Sequence, residues 1–319
     1  MEMIQANQKL EIRNVQKSTK TALVMDEINI TVHEGEIFAL VGGPKSCKTL
    51  LSKIVVNLVK KTQGEVLVDG TPGRKSRITA RKIGASLDQQ RFYPYKTPFK
   101  TLEHDAIVHK RSVVRADIVN ALNLVGMKKI MHNTIDGLDE SAIARLKIAL
   151  ALYARPKILI LDDPFKNLSA VEALGIRTVI KTIADVRKTA VLLTAQNVTN
   201  VEAICDTIGI IDDGMIVTIK SYNQFIRDDA KYEKVRVHTP TPNFAAKVIE
   251  TELGFETHLC GEWVVVETLP ASAQTIANAL QAKDIKILSM QKVNRSLQEL
   301  FYELLIARRN SFVGKAGAS

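Results

Sequence analysis

Short apolar runs alternate with stretches of helical spacing through the first two thirds of the chain. Residues 36–41 are almost entirely apolar and end at Gly42, which predicts a buried strand entering a loop. Over 48–59 the apolar positions recur at helical spacing, so a helix follows the loop. Residues 157–161 and 190–194 are two further buried strands. Buried strands that alternate with helices predict an α/β fold with a parallel sheet covered on both faces.

The pattern changes after about Asp229. Strands and helices then follow in the order strand, helix, strand, strand, helix, strand, with one more helix over 296–307. This βαββαβ order is typical of a small α+β domain of the ferredoxin-like type. We therefore predict a first domain over 8–229 with a helical subdomain at about 96–153, then a second domain over 231–308 and a tail over 309–319.

Composition places the chain among ordinary globular proteins. Its 319 residues are 46% hydrophobic and 24% charged, which excludes collagen-like, low-complexity and wholly disordered chains. No apolar run approaches the roughly 18 residues that span a bilayer, and the first residues lack a signal-peptide stretch, so we expect a cytosolic protein. Cys47, Cys205 and Cys260 are scattered without CxxC spacing, which argues against a disulfide framework and against a zinc site.

The net charge of +10 is concentrated in one segment. Between Arg74 and Lys129 there are thirteen bases and four acids, which is nearly the whole excess. Such a segment suits nucleic acid, an anionic membrane surface or an acidic partner. An ordinary solvated surface explains it equally well, because charge alone does not reveal what the segment faces.

Residues 42–49 form a candidate phosphate-binding loop. The loop joins a buried strand to a helix and matches the pattern G-x-x-x-x-G-K-[ST] at Gly42, Lys48 and Thr49. Loop amides and the helix N-terminus attract phosphate, Lys48 reaches the β- and γ-phosphates, and Thr49 is a ligand for Mg²⁺. Cys47 replaces the last glycine, so a side chain enters the space in which backbone approaches phosphate. The predicted nucleotide-binding residues of this loop are Gly42, Gly43, Pro44, Lys45, Ser46, Cys47, Lys48 and Thr49.

An apolar strand that ends in two acids supplies the second half of the candidate site. The sequence ILILDD at 158–163 places Asp162 and Asp163 at the end of a predicted buried strand. We expect Asp162 to hold Mg²⁺ through its hydration shell and Asp163 to polarise the attacking water. Each motif alone is a weak signal, whereas the two together are a much stronger indication of a site for nucleotide phosphates and Mg²⁺.

Five further segments share the pattern of one known family. They are IGASLD at 83–88, FYP at 92–94, RLKIALAL at 145–152, LDDP at 161–164 and SLQELF at 296–301. Through them the chain resembles the ATP-binding subunits of ABC transporters, in particular the group of bacitracin and lantibiotic export ATPases, from about Leu10 to about Leu305. The resemblance implies a P-loop NTPase domain of the ABC ATPase type with a helical subdomain, followed by the small α+β domain.

Several positions depart from the family pattern. The signature sequence LSGGQ falls on LDESA at 138–142, so both of its glycines are missing. The other departures are Lys45 and Cys47 for loop glycines, Asp88 for the Q-loop glutamine, Asp163 for the catalytic glutamate, Ser169 for the D-loop aspartate and Gln196 for the switch histidine. Asp163 is one methylene shorter than glutamate, and Gln196 cannot carry a proton. Because a positioned base contributes roughly 10²–10⁴ in rate, we predict slow or absent hydrolysis.

The resemblance also implies roles, a cofactor and partners. It assigns nucleotide binding to Asp88 and the loop, metal binding to Thr49 and Asp162, and catalysis to Asp163 and Gln196. A family member of this kind binds ATP with Mg²⁺ and pairs with a second ABC ATPase as a homodimer or a heterodimer. It also requires an integral membrane permease. We therefore expect a cytoplasmic protein, peripheral on the inner face of the cell membrane, that powers an exporter.

Two other functions stay open at this stage. A regulatory or scaffold ABC protein that has lost hydrolysis has the same departures from the family pattern. A nucleic-acid-associated ABC ATPase is not favoured, because such proteins usually carry two ATPase domains or a long coiled coil, and the sequence shows neither. Phosphate release distinguishes the first alternative, and steep salt dependence of nucleic-acid binding would indicate the second.

Overall fold

The computed structural model of the chain describes residues 7–20, 22–73, 82–88, 91–93, 96–112, 114–229, 233–268, 272–293 and 297–316. The chain divides into two compact units, Met1–Ser221 and Tyr222–Ser319. The helix Tyr222–Asp229 belongs to the second unit, so this division falls eight residues before the domain boundary predicted at 229.

Two sheets form the first unit. Their strands are β1 (Gln8–Ser18), β2 (Leu23–His33), β3 (Ile37–Val41), β4 (Gln63–Val68), β5 (Thr71–Pro72), β6 (Ile83–Ser86), β7 (Ile158–Asp162), β8 (Ala190–Ala195), β9 (Thr207–Asp212) and β10 (Met215–Ser221). The larger sheet has the order β10-β9-β3-β8-β7-β6, and the smaller one has the order β2-β1-β4-β5. Pairing is parallel from β9 through to β6, while β10 returns antiparallel to β9.

Five helices are described in the first unit. They are α1 (Lys48–Val55), α2 (Pro98–Val108), α3 (Arg115–Leu124), α4 (Glu140–Leu152) and α5 (Ala170–Arg187), with short 3-10 turns at Ile135–Gly137 and Val198–Asn200. Helix α2 begins at Pro98, where the Thr97 side chain accepts a hydrogen bond from the Lys100 amide. Helices α2, α3 and α4 lie within the helical subdomain predicted at about 96–153.

The parallel strands β3, β7 and β8 position the residues of the candidate site. Every residue of β3, β7 and β8 is buried, which explains why their sequences are continuous apolar runs rather than alternating ones. Apolar side chains of both sheets and of α1 share one core, which includes Leu10, Ile30, Phe38 and Leu51. The carboxyl ends of β3, β7 and β8 meet at one edge of the sheet because the strands run in the same direction. The α/β prediction with a parallel sheet is confirmed.

The second unit contains one antiparallel sheet with helices. Its elements are α6 (Tyr222–Asp229), β11 (Glu233–His238), α7 (Pro242–Val248), a π-helical turn (Ile249–Leu253), β12 (Thr257–Cys260), β13 (Trp263–Thr268), α8 (Ala273–Gln281), β14 (Ser289–Val293) and α9 (Leu297–Ala316). The sheet order is β12-β13-β11-β14, and all of its pairings are antiparallel. The predicted βαββαβ order of a ferredoxin-like domain is therefore present.

Buried valines at every second position of β11 and β13 lie on one face of this sheet, and that face forms the core. Val235 and Val237 of β11, with Val264 and Val266 of β13, pack against apolar residues of α7 and α8. Helix α9 continues to Ala316, beyond the start of the tail predicted at 309, and residues 317–319 lie outside the described part of the chain. No helix in the described ranges combines the length and the apolar composition needed to cross a membrane.

Candidate functional site

The predicted site residues meet at the carboxyl edge of the parallel sheet. The loop 42–49 follows β3, Asp162 and Asp163 stand at the end of β7, and Gln196 comes directly after β8. In the strand register, Asp162 is paired with Thr194, and Val41 is paired with Ala195. Three consecutive strand ends therefore bring together the loop, the acids and the glutamine.

The loop folds around the carbonyl of Gly43. The Ser46 hydroxyl donates to that oxygen at 2.7 Å and the Lys48 ammonium donates to it at 3.0 Å. Gly42 has no room for a side chain, since a Cβ atom there would lie 2.3 Å from the Ile211 carbonyl oxygen. Ser46 and Lys48 are only 1% and 5% exposed, so the loop is held tightly against the sheet edge.

Cys47 adopts a conformation that favours glycine. Its φ is 68°, in the left-handed region, and it is the residue directly before α1. A residue with a Cβ atom costs about 1–2 kcal/mol there, which gives a physical reason for the glycine in the general pattern. Burial raises the pKa of the Cys47 thiol and Asp213 raises it further, while Lys48 opposes them. The thiol is therefore neutral near pH 7.

Asp162 is the centre of the hydrogen-bond network. The carboxylate is 4% exposed, and its Oδ1 accepts from the hydroxyls of Thr49 at 3.0 Å and Thr194 at 2.7 Å. Its Oδ2 is buried and has no hydrogen-bond partner. Carboxylate and hydroxyl oxygens are ligands that Mg²⁺ prefers, and an unpartnered buried carboxylate oxygen needs a cation or a donor. Thr49 and Asp162 thus fit a magnesium ion.

Lys48 supplies the positive charge beside these acids. Burial lowers the pKa of its ammonium group, and the carboxylates of Asp163 and Asp162 oppose that shift. Two acids and one lysine at a largely buried strand edge leave a local excess of negative charge, which a cation at Asp162 would balance.

The two predicted catalytic residues contact each other. The Gln196 amide nitrogen donates to Oδ2 of Asp163 at 3.1 Å. Asp163 has a φ of 50°, and its amide donates to the Thr194 hydroxyl at 3.0 Å. Burial raises the pKa of the Asp163 carboxyl, whereas the hydrogen bond from Gln196 and the charge of Lys48 lower it. The glutamine therefore favours the ionised form of Asp163, but it is a donor that cannot shuttle a proton.

Asp88 is in contact with two lysines. Its carboxylate forms an ion pair with Lys166 at 2.8 Å, and its backbone carbonyl accepts from Lys147 at 3.3 Å. Asp88 lines a cleft together with Asp162, Asp163 and Glu140. Nucleotide binding by Asp88 remains a prediction, and the Lys166 ion pair neutralises the charge it would otherwise present to phosphate.

Residues 138–142, at the position of the family's signature sequence, have a structural role. The Asp139 side chain accepts from the Ala142 amide at 2.7 Å and so caps the first turn of α4. Glu140 follows it and faces the cleft that contains Asp162 and Asp163. In the same way Ser169, at the D-loop position, forms a reciprocal capping box with Glu172 at the start of α5.

Part of the basic segment lies outside the described residues, namely Arg74, Lys75, Arg77 and Arg81, as do Pro94 and Ser296 of the family-like segments. Lys82 pairs with Asp69 at 2.8 Å, and Asp69 also accepts from Lys9 at 3.1 Å. At least one of the thirteen bases therefore serves an internal ion-pair cluster rather than a partner.

Two residues of the site were not among those predicted from the sequence. Thr194 bonds to Asp162 and Asp163, and Lys166 pairs with Asp88. A hydroxyl at the end of the strand next to an acidic strand end is a signal for Thr194. A lysine three residues after Asp163 carried no comparable signal, because its partner is 78 residues away.

A parallel sheet with a phosphate-type loop after β3 and a buried acid at the end of β7 defines the class of P-loop nucleotide-binding proteins. Residues 25–166 match the family described as ABC transporter. The predicted resemblance to ATP-binding subunits of that family is therefore confirmed over these residues.

Relatives extend the similarity beyond this domain. An uncharacterized ABC transporter ATP-binding protein, YdbJ of Bacillus subtilis (strain 168), is 28% identical over 94% of this chain and 96% of its own length. The lantibiotic transport ATP-binding protein SrtF of Streptococcus pyogenes is 28% identical over 67% of this chain and 91% of its own. The bacitracin transport ATP-binding protein BcrA of Enterococcus faecalis is 26% identical, over 76% and 78% respectively.

A solved structure supports the fold. CbiO1 of Clostridium perfringens, part of the ABC transporter complex cbiONQ, has a TM-score of 0.63 at 20% identity, covering 70% of this chain and 92% of that protein. The predicted ABC ATPase fold is therefore confirmed.

Proposed function

We propose that this chain binds Mg-ATP at residues 42–49 and couples that binding, with weak hydrolysis, to export through a separate membrane permease. The observation that carries the proposal is the Asp162 carboxylate, with one oxygen held by Thr49 and Thr194 and the other buried without a partner. Export of a bacitracin-like or lantibiotic-like compound is supported by the names of two relatives, SrtF and BcrA.

Each binding group has a defined task. The amides of the loop and the amino end of α1 would receive the phosphates, and the Lys48 ammonium would transfer its hydrogen bond from Gly43 to phosphate oxygen. Thr49 and Asp162 would hold Mg²⁺, which neutralises charge on the β- and γ-phosphates when bound. Asp163 would orient the attacking water.

The same geometry supports slow turnover. Asp163 is held by Gln196, which keeps the carboxylate in place but offers no proton. Because Asp is one methylene shorter than Glu, the carboxylate reaches less far toward the water. Glu140 stands at the signature position, where a carboxylate would repel the phosphate of a partner's nucleotide. The site therefore favours binding over hydrolysis.

The assembly follows from the family. We infer a dimer with a second ABC ATPase, identical or different, attached to an integral membrane permease at the cytoplasmic face of the membrane. A purely regulatory or scaffold role is not favoured, because Lys48, Thr49 and Asp162 form the complete binding set.

Calorimetry of Mg-ATP binding tests the proposal. Lys48→Ala removes a charge-assisted contact of about 1.5–3 kcal/mol, so the dissociation constant should rise about 10- to 150-fold. Lys60→Ala is the matched control, because Lys60 is an exposed lysine outside the predicted site. Adding EDTA should weaken binding to the wild-type chain. Equal affinities for the wild type and Lys48→Ala would contradict the proposal.

A further inference from the structure

A basic cleft lies at the opposite edge of the parallel sheet. Its volume is about 500 Å³, and it is lined by Glu34, Arg155, Lys157, Arg187, Lys188 and Thr189. These residues precede β3, β7 and β8, whereas the nucleotide site follows the same strands. The five residues of β7 alone span about 16 Å, so the cleft is separate from the ATP site.

The charges around this cleft are unevenly compensated. Arg155 pairs with Asp117 at 2.6 Å. Lys157 lies 3.5 Å from Asp69, which also receives Lys9 and Lys82, so one carboxylate serves three lysines. Among the described residues that line the cleft, Glu34 is the single acid.

The positive charge that is not compensated belongs to Arg187 and Lys188. In the described part of the chain, neither residue forms an ion pair. Nη1 of Arg187 is buried without a hydrogen-bond partner, which is costly for a cationic group. Burial lowers the pKa of the Arg187 guanidinium and the nearby positive charge of Arg155 lowers it further, while the negative charge of Asp117 opposes both. The arrangement places Arg187 near Arg155, and Asp117 is the acid that offsets the two positive charges.

Packing holds these two bases in position. Arg187 is in the last turn of α5, where a cation complements the helix dipole. Lys188 ends that helix in a left-handed conformation, with a φ of 52°, and its aliphatic chain lies near Gly35 of the turn before β3. The dipole explains a cation at this position, but it does not explain why a second arginine, Arg155, lies near it.

We infer that this cleft binds a phosphate group, held by Arg187 and Lys188 and supported by Arg155 and Lys157. A phosphate supplies several acceptor oxygens and two negative charges, and guanidinium forks match its geometry. The volume admits a diphosphate or a headgroup rather than a single ion only. The site would therefore respond to a phosphorylated ligand independently of Mg-ATP.

Pyrophosphate titration tests this inference with calorimetry. The Lys48→Ala background weakens the nucleotide loop, so the remaining binding reports on the cleft. On that background, Lys188→Gln and Arg187→Gln should each raise the dissociation constant for pyrophosphate at least about tenfold. Lys181→Gln, an exposed lysine of the same helix, is the control and should leave it unchanged. Circular dichroism verifies folding, and if Arg187→Gln fails to fold, the exposed Lys188→Gln decides the matter.

Vesicles distinguish the source of the phosphate. The full chain is mixed with phosphatidylcholine vesicles that contain phosphatidylglycerol, or with phosphatidylcholine alone. Pyrophosphate binding that depends on Lys188 indicates a free phosphorylated ligand. Binding only to the anionic vesicles, lost in Lys188→Gln and kept in Lys181→Gln, indicates a lipid headgroup. If Lys188→Gln matches the control in both arms, the inference is overturned.

Discussion

Replacing Thr194 with valine isolates the hydrogen bonds that hold the acidic strand end. Valine has nearly the same shape as threonine, so the substitution removes the hydroxyl and keeps the volume. The lost hydroxyl donates to Oδ1 of Asp162 at 2.7 Å and accepts from the Asp163 amide at 3.0 Å. Thr194 is 1% exposed, so water does not replace these contacts.

The expected loss of stability follows from the two hydrogen bonds of the hydroxyl. A hydrogen bond to a charged acceptor contributes about 1.5–3 kcal/mol. The second bond contributes less, because the Asp163 amide also lies 3.2 Å from the Thr194 backbone carbonyl. We therefore expect Thr194→Val to lower the free energy of unfolding by about 2–3 kcal/mol. With a urea dependence of about 1–3 kcal/mol per molar, the midpoint falls by about 1 M.

Thr194→Ser is the matched control. Serine keeps the hydroxyl and loses one buried methyl group, which costs about 1 kcal/mol. Far-ultraviolet circular dichroism follows the unfolding, since the single tryptophan, Trp263, lies in the second unit and would not report on this site. The expected order of stability is threonine, serine, valine. If serine is no more stable than valine, methyl packing and not the hydroxyl network holds the strand end.

Two further substitutions test the backbone and charge arguments. Cys47→Gly removes the steric cost of the left-handed conformation, so it should raise the melting temperature by about 2–4 °C and strengthen Mg-ATP binding. Cys47→Ala keeps the Cβ atom and should do neither. Asp69 has a pKa held well below its usual range by hydrogen bonds from Lys82 and Lys9, so its stabilisation is present above about pH 4 and is lost as the pH falls through the folded-state pKa. Asp69→Asn should therefore be about 1 kcal/mol less stable than the wild type at pH 7 and equally stable at low pH in urea titrations, and a gap that does not change with pH would contradict this.

The parallel core and the phosphate loop could be predicted because their signals are local. Strands β3, β7 and β8 are buried at every position, so their sequences are apolar apart from Asp162 and Thr194 near the carboxyl ends. The loop pattern likewise lies within eight consecutive residues, 42–49. The burial of these strands and the backbone shape of the loop therefore depend on residues that are adjacent in the sequence.

The remaining features depend on contacts between distant parts of the chain. Thr194 contributes to the site only because β7 and β8 are paired in the register that places it beside Asp162. The pair of Asp88 and Lys166 joins segments 78 residues apart. The division between the units precedes α6, because packing rather than composition assigns that helix to the second unit. None of these relations has a periodicity that a single sequence reveals.

The rate of phosphate release at saturating Mg-ATP tests the central claim most directly. The purified wild-type chain is measured in the steady state, and Lys48→Ala supplies the background from contaminating enzymes. Because Asp163, Gln196 and Glu140 all depart from the residues that hydrolysis requires, we predict a signal above that background but well below about 1 per second. A wild-type rate of about 1 per second or more would contradict slow turnover, and a rate equal to the Lys48→Ala background would contradict hydrolysis at this site.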